Sequence, residues 1–132
     1  MSIIGIGVDI CENKRIEKLI HKFKDHFLQR IYHESEISYG LNEYKNNSMM
    51  LNNFFAKRFA GKEALIKAIG LSQNIKKNEI AILPDMHGKP VIKFFGKTQE
   101  AIQHLFPYEV AFHISLSDEK EFSIANVIFE RL

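Results

Sequence analysis

Asp9, Glu63 and Lys67 are the side chains of this sequence whose surroundings suit chemistry. Asp9 stands in the alternating run MSIIGIGVDI and shares a face with Gly5 and Gly7. Two glycines leave that face bare, so a ligand can come close to the backbone beside a carboxylate; a bulge, or a helix packed tightly on the strand, is the other reading. Glu63 and Lys67 are one helical turn apart, with Ala56, Ala60 and Ala64 beside them. An acid and a base next to small residues leave space for a ligand, or they form an ordinary i,i+4 surface pair. Arg58 and Lys62 fall inside the apolar arc of the same segment. Cations there snorkel to water, or the arc faces an interface or an anionic ligand. Cys11, the one cysteine, lies in an apolar strand-like run. It reads as a core residue more readily than as a nucleophile.

The elements that must position these groups follow from periodicity. Ile4, Ile6, Val8 and Ile10 alternate with Gly5, Gly7 and Asp9, which predicts a strand over 2–11. Ile16, Leu19, Ile20, Phe23, Phe27 and Ile31 keep helical spacing and predict one helix over 13–31. Lys14, Arg15, Lys18 and Lys22 lie off that stripe, as a solvated face or as a docking surface for an acidic partner. In the polar segment 33–48, Ser35 is a candidate cap for a short helix ending near Gly40, and 46–48 reads as a loop. The segment 49–69 is the strongest helix, with Gly70 as its stop. Runs at 79–83 and 91–95 flank Asp85-Met86-His87-Gly88-Lys89-Pro90 and predict a hairpin. A short helix over 97–106 precedes two strands, 109–117 alternating and 122–130 apolar on both faces as in a central strand. This order favours an α+β fold with an antiparallel sheet packed against a long helix.

A chain of 132 residues, 45% of them hydrophobic and 11 of them Phe, builds one domain, taken here as 1–132, without staples. One cysteine cannot form an internal disulfide, which points to a reducing compartment. The opening residues lack the basic start and cleavage site of a signal peptide. Their apolar run is short and interrupted by Asp9, so no membrane association is expected and the reading is cytosolic. A net charge of +2 does not by itself imply nucleic acid, and none is expected as a partner.

Two segments resemble a known family. Gly7-Val8-Asp9-Ile10, followed by Glu12 and Arg15-Ile16, resembles the first motif of the phosphopantetheinyl transferases of the holo-acyl-carrier-protein synthase type. Phe59-Ala60-Gly61-Lys62-Glu63-Ala64-Leu65-Ile66-Lys67-Ala68-Ile69-Gly70 resembles their second motif, an aromatic followed by K-E-A, a second K-A and a glycine. Gly88-Lys89-Pro90 is similar to that family's hairpin turn, and His113-Ile114-Ser115-Leu116-Ser117 to its penultimate strand. One departure follows the motif glycine, where many relatives continue Thr-Gly and this chain has Leu71-Ser72-Gln73-Asn74.

The resemblance implies transfer of 4′-phosphopantetheine from coenzyme A, the co-substrate, to a serine of an acyl carrier protein. It implies Mg²⁺ held by Asp9 and Glu63, with Glu63 also a candidate base and Lys67 stabilising charge on the pyrophosphate. Arg58, Lys62, Gly88, Pro90, His113 and Ser115 are implied along the coenzyme A cleft, with a neutral core histidine the competing reading of His113. A homotrimer with its active sites between subunits is implied, and Arg15, Lys18 and Lys22 become the dock for the acidic carrier protein. Two other classes compete: a basic module gripping a polyanion, and another Mg²⁺-dependent phosphotransferase or phosphohydrolase built on Asp9 and Glu63.

Overall fold

The computed structural model describes every residue except 71 and 72, so Leu71 and Ser72 of the departure noted above lie outside the described residues. Strand β1 (Ser2–Glu12) leads into helices α1 (Asn13–Phe23), α2 (Asp25–Ile31) and α3 (Glu34–Glu43). The long helix α4 (Ser48–Ile69) follows, then a 3₁₀ turn (Lys77–Glu79) and the hairpin β2 (Ile80–Pro84) and β3 (Pro90–Phe94). Helix α5 (Gly96–Leu105) precedes β4 (Val110–Asp118) and β5 (Phe122–Arg131). The α+β expectation holds, with one refinement. The strands form two antiparallel sheets, β1-β5-β4 and β2-β3.

Helix α4 is the spine of the molecule. Asn47 caps it by accepting from the Met50 N–H at 3.0 Å, and Gly70 ends it at φ 84°. It lies across the inner face of the three-stranded sheet, where Ala60, Ala64, Leu65 and Ala68 meet Ala125, Val127 and Phe129 in one buried cluster. The central strand β5 buries Ser123, Ala125, Val127 and Phe129 on that side.

The bare face of β1 has a different use from ligand access. A Cβ built on Gly5 would land on the carbonyl of Ala68, and one on Gly7 on the carbonyl of Ala64. The glycines admit the backbone of α4, which is the helix-packing alternative. Any side chain at either position would have to displace the helix. The outer face of β1 is the apolar one: Ile6, Val8 and Ile10 are 69%, 54% and 63% exposed.

Three local expectations change. The helix expected over 13–31 breaks at Lys24, which takes φ 50° and ψ −126° and separates α1 from α2. The break lets both Ile16 and Leu28 be buried in the core, which one straight stripe does not achieve. In α3 the cap is His33, whose ring accepts from the Ser35 N–H, while the Glu36 carboxylate accepts from the His33 N–H. Gly40 is no stop: it sits inside α3, where a Cβ would press on the Phe54 ring.

Candidate active site

Antiparallel passage of β1 over α4 puts Gly5 at Ala68 and Gly7 at Ala64, with Asp9 two residues further along the same strand face. Lys67 closes the contact. Its Nζ donates to the Val8 carbonyl at 2.9 Å and to Asp9 Oδ1 at 3.1 Å. Glu63 emerges one turn earlier on α4, half-buried, and its Oε1 lies 3.1 Å from Lys77 Nζ. The Cys11 thiol, two residues after Asp9 on β1, is buried. Burial pushes that thiol up to about 11, with Arg15 pulling the other way. Cys11 is therefore a protonated core residue and not a nucleophile.

The donor set suits a hard ion. Two carboxylates on neighbouring elements offer oxygen only, and among the described residues no group of three or more His, Cys, Asp or Glu side chains gathers. A pair of carboxylates leaves most of an octahedral oxygen shell to phosphate and water, the manner in which Mg²⁺ is usually held.

Arg58 and Lys62 require correction. They were expected along the coenzyme A cleft, yet both turn inward. Arg58 is 6% exposed; its Nε donates to the Ile82 carbonyl at 3.0 Å and its guanidinium lies 4.0 Å from the centre of the Phe54 ring. Burial lowers its pKa. Lys62 is wholly buried. Its Nζ lies 2.5 Å from Glu36 Oε1 and 2.9, 2.8 and 2.7 Å from the carbonyls of Ile31, Lys77 and Ile80, four acceptors that share its three N–H groups. Burial pushes the Lys62 ammonium down to about 8, against the pull of Glu36. Glu36 in turn accepts from the Ile82 N–H at 3.0 Å. The two cations in the apolar arc thus bind α4 to its own protein neighbours: Lys62 spends its ammonium wholly on protein oxygens, and Arg58 spends its Nε on Ile82 and its guanidinium face on Phe54.

The remaining candidates lie apart in a single chain. Gly88, at φ 82°, and Pro90 make the β2–β3 turn, where Asp85 Oδ1 accepts from the N–H groups of His87 and Lys89. His113 and Ser115 stand exposed on the outer face of the sheet, the face opposite α4. His113 is not a core histidine; its Nε2 lies 3.1 Å from Glu130 Oε1. Arg15, Lys18 and Lys22 are exposed along α1, with Arg15 5.6 Å from the centre of the Phe59 ring. Sequence reasoning missed Lys77 and Glu36. The one available signal was the Glu three residues after His33, a capping-box spacing that foretells α3 but not the buried pair.

The family model described as the 4′-phosphopantetheinyl transferase superfamily matches residues 5–125. The chain belongs to that family. It is 35% identical to the holo-[acyl-carrier-protein] synthase of Aliivibrio salmonicida, covering 98% of this chain and 99% of the relative. It is 39% identical to the synthase of Buchnera aphidicola, covering 99% and 100%. Among solved structures, the Neisseria meningitidis synthase superposes with a TM-score of 0.83 at 32% identity, covering 98% of this chain and 100% of the other. The Bacillus anthracis synthase, solved in complex with CoA (3′,5′-ADP), gives 0.78 at 33% identity with 98% of both chains covered.

The inward reading of Lys62 carries a prediction. Lys62→Met strands the Glu36 carboxylate without its partner and should lower unfolding free energy by about 3–5 kcal/mol in a urea titration. Glu36→Gln in the same chain should recover part of the loss. A stable Lys62→Met protein whose only defect is a raised KM for coenzyme A would restore the cleft reading.

Proposed function

We propose that this chain transfers the 4′-phosphopantetheine group from coenzyme A to a serine of an apo-acyl carrier protein, releasing adenosine 3′,5′-bisphosphate. The serine oxygen forms a new bond to the phosphorus next to pantetheine, and the bond from that phosphorus to the bridging oxygen of the pyrophosphate breaks. The carrying observation is the pairing of Lys67 with Asp9 where β1 crosses α4, one helical turn from Glu63, in a chain that matches holo-acyl-carrier-protein synthases along its whole length.

Such a transfer asks for positioning and charge neutralisation more than for covalent chemistry. Asp9 and Glu63 would hold Mg²⁺, which when bound supplies a hard positive centre for the pyrophosphate oxygens. Lys67 is fixed by the Val8 carbonyl and Asp9, so its ammonium stands ready for charge developing on the leaving phosphate. Glu63 is the carboxylate available to receive the serine proton, directly or by way of a water.

Assembly explains the separated residues. The outer sheet face aligns Ile6, Ile128 and His113 in one row, Val8, Asn126 and Ser115 in the next, and Ile10, Ile124 and Ser117 in a third. This apolar face, with Phe122 46% exposed at its end, is the surface on which we place the trimer contact. His113 and Ser115, and with them the Gly88–Pro90 turn, would then serve the coenzyme A site of a neighbouring copy. The acidic carrier protein would dock on Arg15, Lys18 and Lys22, exposed along α1, the helix that directly follows the strand carrying Asp9. Coenzyme A, a carrier protein and the free thiol of Cys11 all suit the cytoplasm, where we place the protein. No helix among the described residues is long and apolar enough to cross a membrane.

Mass spectrometry of an apo-carrier protein incubated with the enzyme, coenzyme A and Mg²⁺ should show the added phosphopantetheine. Asp9→Ala and Glu63→Ala should abolish that addition while leaving the circular dichroism unchanged, and full activity in the double variant would refute the site. Reversing charge with Arg15→Glu and Lys18→Glu should raise KM for the carrier protein several-fold and spare KM for coenzyme A; equal effects on both would remove the docking role. Sedimentation equilibrium should return about three times the chain mass of 15.3 kDa, and a monomer that is fully active would overturn the shared site.

A further inference from the structure

Each of the two carboxylates is held by its own lysine, and the two lysines are held differently. Lys67 is doubly tied, to Asp9 and to the Val8 carbonyl. Lys77 reaches Glu63 Oε1 at 3.1 Å, and among the described residues its ammonium makes no other polar contact of hydrogen-bond or ion-pair length. Its starting point is firm. The Lys77 carbonyl accepts from the buried Lys62 Nζ at 2.8 Å, and Lys62 immediately precedes Glu63 on α4. The 3₁₀ turn is also pinned by Asn78, whose Nδ2 donates to the Gln29 carbonyl at 3.2 Å. A rigid root and a singly held tip describe a side chain that can leave its partner without moving the backbone.

The charges of the four groups cancel, two carboxylates against two ammoniums. A divalent ion taking both carboxylates meets a like charge at each, which favours withdrawal of the less firmly held ammonium. Lys77 has less to lose than Lys67. It also has somewhere to go, because it lines an open cavity of about 300 Å³ shared with Arg30, Ile75 and Lys76. The cavity is lined by Arg30 and Lys76 as well, a setting that suits an anion such as a phosphate group.

We propose that Lys77 is a movable counter-ion of Glu63: it occupies the carboxylate in the metal-free enzyme, opposes entry of a divalent ion arriving alone, and gives up the carboxylate when the ion arrives with its phosphate-bearing co-substrate. The inference rests on Glu63 being a metal ligand, as proposed above. It makes Lys77 a positioning residue of this chain and assigns it no part in bond making.

Mn²⁺ serves as the probe, with free ion measured by electron paramagnetic resonance on the full-length protein in the absence of coenzyme A. Lys77→Met keeps the length of the side chain and removes the charge. It should bind Mn²⁺ about two- to fivefold more tightly than the unmodified protein, the range expected when one exposed charge pairing is removed. Lys77→Arg should restore the original affinity. With coenzyme A present, the advantage of Lys77→Met should shrink or reverse. Unchanged or weaker Mn²⁺ binding by Lys77→Met, or none up to millimolar ion, overturns the counter-ion role. Glu63→Gln separates the two claims: if it binds Mn²⁺ as well as the unmodified protein, the metal reading of Glu63 itself fails.

Discussion

The close approach of β1 to α4 is the constraint on which the site depends. Gly5 and Gly7 give up their side chains so that the carbonyls of Ala68 and Ala64 can lie against the strand. This distance brings Lys67 within reach of both the Val8 carbonyl and Asp9. A wider separation would leave Asp9 facing water on a strand and Glu63 facing water on a helix. Glycine in a strand costs conformational entropy and forfeits packing; here the return is a register between two elements that no side chain could span so tightly.

A second constraint fixes the far side of α4. Lys62 and Glu36 form a wholly buried ion pair whose remaining hydrogen-bonding capacity is taken by main-chain groups of Ile31, Lys77, Ile80 and Ile82. Desolvating two charges is expensive, and such a pair need not stabilise more than apolar residues of the same volume would. What it supplies is direction. One ammonium joins α2, α3, the 3₁₀ turn and β2 to the residue next to Glu63. Between this pair and the glycine contact, α4 is clamped on both sides, so that Glu63 leaves a helix surface held against rotation. Preorganised charge of this kind is what phosphoryl transfer needs from a protein.

The legible part of the molecule was the part governed by periodicity. The alternation of β1, the 3.6-residue spacing of α4 with Gly70 as stop, and the two-sided apolar run of β5 all appear as read. The use of the Gly5–Gly7 face was not legible, because a bare strand admits a ligand and a helix backbone equally well. Arg58 and Lys62 stood out in an apolar arc for a sound reason, but their partners come from Ile82 and Glu36, far away in sequence and in segments of weak pattern. The break at Lys24 had no glycine or proline to announce it, and the lysine at φ 50° is held by main-chain bonds on both sides, its N–H donating to the Ile20 carbonyl and its carbonyl accepting from the Phe27 and Leu28 N–H groups. Lys77 was invisible for a similar reason: its pairing with Glu63 depends on where the chain returns after α4.

The account stands on one ion being shared by the strand carboxylate and the helix carboxylate. Crystals grown with coenzyme A and Mn²⁺, with data collected at a wavelength where manganese scatters anomalously, would locate that ion without reference to activity. The account predicts one anomalous peak per active site, within coordination distance of an Asp9 oxygen, a Glu63 oxygen and the pyrophosphate. A peak that touches the pyrophosphate but neither carboxylate, or one bound at a different part of the chain, would contradict it.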